Sequence, residues 1–340
     1  MNENAKCYSI TCAKIGLALL LFYAFFTLST FAVSLGGAFY QQIARPGFRG
    51  EIIINILYGV VYFLSFSIPA FMLRKMCKKL PSSRPIYTSF RLNRWIILAI
   101  ITVVALNFTL AYLNNITVTS FLPNTTATLL GSSSDFYGKS TTQLWMLFVV
   151  EIFATAIVPA VCEEYLFRGA ILTNLLPFGK STAIFASAFL FGLMHQHPLQ
   201  MLYTILMGVV IGCVYVKTKS IWACIILHGV NNLFTVLEQF LPVFTGKEWI
   251  TVLIDFLVFV SGGIALLLIM LHKNKEPLPQ TDGSFGKVYD RGMEHEELTL
   301  DLPAGKKLRK FFTPSIIIFI IICIFNIVKT LLSFYGVSLI

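Results

Sequence analysis

Long apolar runs of roughly 20 residues recur along the chain, separated by short polar or charged segments. A run of that length crosses a ~30 Å hydrocarbon layer as a helix. The pattern predicts spans at approximately residues 14–37, 51–73, 95–114, 143–176, 181–196, 199–216, 220–240, 250–271 and 313–337. The expected fold class is therefore all-α, a polytopic transmembrane bundle of about eight helices with one helix appended at the C-terminal end. Four parts follow: 1–140 with the first helices and an outer loop, 141–271 as the central bundle, 272–312 as a charged cytoplasmic linker, and 313–340 as the last helix. The outer loop, 115–142, is rich in Ser, Thr, Asn and Gly and nearly uncharged, and no internal repeat is visible.

Composition agrees with the pattern. Of 340 residues, 56% are hydrophobic and only 12% charged, where a soluble domain carries about a quarter charged residues. The net charge of +10 is not a nucleic-acid signature, and no nucleic-acid partner is expected. Its densest cluster, Arg74, Lys75, Lys78, Lys79, Arg84, Arg91 and Arg94, joins two apolar spans, which the positive-inside bias places in the cytoplasm. The N-terminus then lies inside and, after an odd number of spans, the C-terminus outside. Lys180, Lys217, Lys219, Lys273 and Lys275 fall on inner loops of the same topology. Lys6 and Lys14 precede the first apolar run without a small-x-small cleavage site, so that run is expected to be a membrane helix rather than a removed signal. The seven cysteines are scattered without a C-x-x-C pair, which argues against a disulfide framework and a zinc ribbon.

Ionisable groups inside membrane spans cost about 2.5 kcal/mol or more each, and so mark function. The densest set is Cys162-Glu163-Glu164-Tyr165-Leu166-Phe167-Arg168. Glu164 and Arg168 are spaced i, i+4 and can neutralise each other on one helix face. Glu163, rotated about 100° away, has no partner on its own helix and needs a metal, a histidine or a proton. Two more helices offer polar groups: Phe191 and His195 share one face, and His228 and Asn232 share another. A hairpin at Leu176-Pro177-Phe178-Gly179 would bring Glu163 and His195 nearly level, about 22 and 25 Å from the turn. His228 and Asn232 would lie about 13 and 20 Å from theirs. A helix over 143–176 would be ~50 Å long, and Pro159 is placed to kink it and free the carbonyl of Thr155. His197 beside Pro198 reads as a loop residue, and Glu151 and Asp255 as polar contacts between helices.

At these residues the chain resembles the CPBP family, the CAAX-prenyl-protease and bacteriocin-processing membrane proteins also called Abi. The motifs are Glu163-Glu164-x-x-x-Arg168, Phe191-x-x-x-His195 and His228-x-x-x-Asn232, in the family's order, and the resemblance covers roughly residues 140–240. It implies peptide-bond hydrolysis inside a membrane cavity by a glutamate-dependent, metal-assigned endopeptidase. Its substrate would be a peptide or protein within the lipid bilayer: a lipidated CAAX-type protein, a secreted peptide or a membrane protein. Carried over by position, Glu163 and His195 activate water, His228 and Asn232 bind a metal or stabilise the oxyanion, and Arg168 holds Glu164 as a supporting group. Phe191 would pack the helix that presents His195.

Two chemistries remain open at this point. Glu163, His195 and His228 can bind zinc and leave the fourth position for an acidified water. In the metal-free variant, Glu163 with His195 acts as base and His228 with Asn232 as oxyanion hole. The expectation is a divalent metal. Two other classes use buried polar groups: a non-proteolytic scaffold or regulator of the same fold, and a proton-coupled transporter, which predicts pseudo-two-fold repeats. The expected location is a bacterial cell membrane, or the endoplasmic reticulum membrane in a eukaryote.

Overall fold

The computed structural model describes residues 3–44, 48–90, 94–121, 136, 138–272, 300 and 302–334. Its helices are α1 (Glu3–Ala44), α2 (Phe48–Cys77), α3 (Arg94–Phe121), α4 (Thr141–Phe178), α5 (Lys180–Met194), α6 (Pro198–Thr218), α7 (Ile221–Thr245), α8 (Glu248–His272), α9 (Ala304–Phe311) and α10 (Pro314–Phe334). Eight of them are long and apolar enough to cross a bilayer. No strand is present among the described residues; Thr88 and Ser220 form an isolated antiparallel bridge.

Three boundaries differ from the hydropathy pattern. Helix α1 starts at Glu3 instead of near residue 14 because its first turns are amphipathic: Ala5, Cys7, Tyr8 and Cys12 are buried while Lys6 is exposed. The Tyr8 ring meets that of Phe178 edge-on at 4.8 Å. Helix α3 continues to Phe121, so the outer loop begins later than residue 115; the loop's residues 122–135 and 137 lie outside the described residues. Within the expected linker, Ala304–Phe311 forms α9, a basic helix anchored by buried Phe311. Linker residues 273–299 and 301 lie outside the described residues.

The long fourth span is a composite. Its first α-helical segment, Thr141–Glu151, is opened by a capping box in which the Ser140 side chain and Gln143 exchange hydrogen bonds. A π-helical turn, Ile152–Ile157, follows, then α-helix Val158–Glu164, a second π-helical stretch Tyr165–Leu172, and a tight end at Leu176–Phe178. Pro159 lacks an amide proton, and the backbone ahead of it widens so that Val158 N–H reaches Phe153 O. The widened turns flank Glu163 and Glu164. Gly179, at φ +119°, makes the sharp reversal into α5.

Helix α5 is only 15 residues long, about 22 Å against a ~30 Å core. Its hairpin with α6 is tight because Gly208 lets Ala188 approach, a Cβ there falling 3.0 Å from Ala188 Cβ. On the basic side, the loop after α2 is pinned to the α6–α7 turn: Ile221 N–H donates to Tyr87 O at 2.8 Å and Ser89 Oγ to Lys219 O at 2.6 Å. Helix α10 crosses α1 at Gly16, where a Cβ would lie 2.5 Å from Ile316 N. Ser315 pairs with Ala13 at 2.8 Å and Asn326 with Tyr23 at 3.1 Å, so α10 runs parallel to α1. Helices α1 to α7 share one core with α9 and α10, and the polar cluster lies inside it.

Candidate active site

Helix α4 supplies Glu163, Glu164 and Arg168, which are 3%, 0% and 0% exposed. Charges removed from water to this degree require partners, and most of these come from other helices. Arg168 Nη1 donates to Glu164 Oε1 at 2.8 Å, and Nη2 to Gly208 O on α6 at 3.2 Å. The Arg168 guanidinium stands over the Phe191 ring with Cζ 4.8 Å from its centroid. Phe191 is fully buried on α5, edge-on to His195 at 4.9 Å and to His228 at 6.0 Å. It thus supports the arginine and both histidines, more than the single packing role expected of it.

His228, on α7, joins the two glutamates. Its Nδ1 lies 2.8 Å from Glu164 Oε1, the carboxylate oxygen that Arg168 also holds. A carboxylate only accepts, so Nδ1 carries a proton, and in the neutral ring Nε2 presents its lone pair. That Nε2 faces Glu163 Oε2 at 4.0 Å. His195 is fixed in the same tautomer: its Nδ1 is 2.9 Å from Phe191 O, a carbonyl that can only accept. The ring of His195 lies within electrostatic range of Glu163, His228 and Arg168.

Glu163 finds a partner that sequence reasoning missed. The Tyr62 hydroxyl of α2 donates to Glu163 Oε1, leaving buried Oε2 without a partner. The signal was faint: Asn55, Tyr58, Tyr62 and Ser65 fall at i, i+3, i+7 and i+10 within the otherwise apolar stretch 52–66 of α2.

Asn232 is placed elsewhere. Its Nδ2 donates at 3.1 Å to Thr155 O, the carbonyl that Pro159 leaves free, eight residues or about 12 Å along α4 from Glu163. Its Oδ1 accepts from Asn231 Nδ2 at 3.2 Å. The expected pairing of His228 with Asn232 as one oxyanion hole therefore does not form; His228 pairs with the glutamates. Of the other acids, Glu151 accepts from Thr155 Oγ1 at 2.7 Å, and Asp255 Oδ1 is buried without a partner. His197 packs its ring 6.1 Å from that of Phe334.

The donor atoms suit zinc better than their spacing does. Two imidazole Nε2 lone pairs and a carboxylate oxygen are the expected donor types. Neighbouring ligands of a tetrahedral zinc lie about 3.3–3.4 Å apart, against 4.0 Å between His228 Nε2 and Glu163 Oε2. No group of three or more His, Cys, Asp or Glu side chains among the described residues is arranged to hold a metal ion. Glu163, His195 and His228 thus do not form a metal centre as they stand.

Comparison with known proteins covers the same residues. Residues 144–234 match the family described as Type II CAAX prenyl endopeptidase Rce1-like. Over 95 residues, 27% of this chain, the sequence is 34% identical to "Putative membrane peptidase YdiL" of Bacillus subtilis (strain 168), and the match spans 38% of that relative's length. No solved structure matches the chain. The matched segment contains all three motifs and the whole cluster except Tyr62. Together with the eight candidate spans among the described residues, it makes this chain an integral, multi-pass membrane protein whose residues 144–234 are similar to that endopeptidase family.

Proposed function

We propose that the protein is an intramembrane endopeptidase in which Glu163 and His228 activate a water molecule. The observation that carries this reading is the pair of facing acceptors, Glu163 Oε2 and His228 Nε2, 4.0 Å apart with no proton donor between them. One water at about 2.8 Å from each can donate a proton to both. Its lone pair then points outward, toward the carbonyl carbon of a bound peptide. Glu163 takes the proton as the water attacks. Tyr62 on one side holds the Glu163 carboxylate, while Arg168 with Glu164 fixes the His228 tautomer. Glu163 then passes this proton to the leaving amine, while His195, anchored through Nδ1, presents an Nε2 acceptor that can orient the water or the substrate amide. Asn232 acts from farther off, by holding the kinked backbone of α4.

The family match supports peptidase activity, and the name of the Bacillus relative supports a bacterial cell membrane as the location. The substrate classes are those of the family resemblance: lipidated CAAX-type proteins, secreted peptides and membrane proteins. The test is cleavage of one reporter of each class by the purified chain, with and without a strong chelator. The reading expects cleavage of at least one class, unchanged by chelation within about twofold. No cleavage of any class contradicts the proteolytic reading; cleavage abolished by the chelator and restored by zinc contradicts water activation by Glu163 and His228 alone.

A further inference from the structure

Helix α7 carries a polar stripe that begins at the site and continues well beyond it. His228, Asn232, Thr235 and Gln239 stand at i, i+4, i+7 and i+11, along one face. Thr235 and Gln239 are exposed and Asn232 is half-buried, within a helix long and apolar enough to cross the bilayer. Polar groups on two other helices meet the stripe. Asn107 of α3 donates to Thr235 Oγ1 at 3.3 Å, and that hydroxyl donates to Asn231 O at 3.4 Å. On α4, Thr155 O accepts from Asn232 Nδ2, and Thr155 Oγ1 donates to Glu151 Oε2. Asn231, 2% exposed, has an Oδ1 with no partner.

Several of these groups bond to one another, but Asn231 Oδ1, the Glu151 carboxylate and the exposed Gln239 amide keep hydrogen-bonding capacity that lipid tails cannot meet and a wet cleft can. We infer that α3, α4 and α7 enclose such a cleft and that it binds the backbone of an unwound, extended peptide leading to the Glu163–His228 gap. From His228 to Gln239 is about 16 Å along the helix, the length of about five residues of extended chain. A helical substrate satisfies its own backbone and hides its carbonyls. Once unwound for attack, its freed N–H and C=O groups need the amides and hydroxyls that this stripe offers. The occupant rests on the proteolytic reading; the cleft itself does not.

Thiol accessibility in the full chain tests both parts. Thr155→Cys and Thr235→Cys are compared in permeabilised membranes with Phe153→Cys and Leu237→Cys, exposed apolar positions on the same two helices. Six of the seven native cysteines are buried and Cys213 is half-buried, so the parent protein supplies the background. A charged, membrane-impermeant methanethiosulfonate should label the cleft positions about tenfold faster or more, since only they meet water. In a Glu163→Gln background, a reporter that the parent protein cleaves should slow labelling at Thr235→Cys. Equal rates at all four positions would overturn the cleft. Fast labelling that a saturating, cleavable reporter leaves unchanged would overturn peptide binding there. If no reporter is cleaved by the parent protein, the proteolytic reading fails in its own assay while the labelling still reads the cleft.

Discussion

Helix α8 and the Cys162–Asn174 stretch of α4 meet the same solvent problem in opposite ways. Helix α8 turns Phe256, Leu257, Phe259, Leu266 and Leu267 outward, and only 11% of its most apolar window is buried. Such a face needs no specific partner, because lipid replaces any neighbour. The α4 stretch buries Glu163, Glu164, Arg168, Thr173 and Asn174 almost completely, and most of their polar atoms have assigned partners. The exceptions are Glu164 Oε2, Arg168 Nε, Asn174 Oδ1 and Glu163 Oε2, and the last of these faces a second acceptor, His228 Nε2, at 4.0 Å. Tolerance is expected along the first helix, and strict dependence on single atoms along the second.

Arg168→Leu should sharpen that contrast most, since it leaves Glu164 and His228 without their cation. Breaking a buried pair in this way costs about 3–5 kcal/mol, and thermal unfolding in detergent should show a large loss of stability. Tyr62→Phe should lower kcat by roughly ten- to a hundredfold, the value of a hydrogen bond to a charged group, with membrane abundance unchanged. Asn326→Ala reaches the site less directly. Asn326 Nδ2 donates to Gln196 Oε1 at 2.8 Å, and Gln196, at φ +52°, sits next to His195. Release of that strained turn should lower kcat by about three- to tenfold while KM stays constant, a split that general loosening of the bundle would not give. Phe256→Leu on the lipid face of α8 should change stability by less than about 0.5 kcal/mol and leave cleavage unaffected.

The parts legible in the sequence are those written within one helix. Apolar runs located the spans, the i, i+4 spacing of Glu164 and Arg168 foretold their 2.8 Å pair, and Pro159 foretold the free carbonyl of Thr155. What escaped depends on contacts between helices. Tyr62 lies 101 residues from Glu163, and no local spacing joins them. His228 and Asn232 share a face, but their depths against α4 follow from how α7 packs, and this sends one to the glutamates and the other to Thr155, about two turns away along α4. Helix α9 was hidden by its own composition, since Lys306, Lys307, Arg309 and Lys310 erase any apolar run.

The central claim is that one carboxylate, with its open oxygen 4.0 Å from His228 Nε2, drives hydrolysis. Glu163→Gln keeps the size of the side chain and removes the base, so cleavage of a reporter by equal amounts of folded protein tests it most directly. The expected result is a loss of about a thousandfold or more in kcat with unaltered membrane abundance and thermal stability. Cleavage at or near the parent rate would contradict it and move the chemistry to other residues.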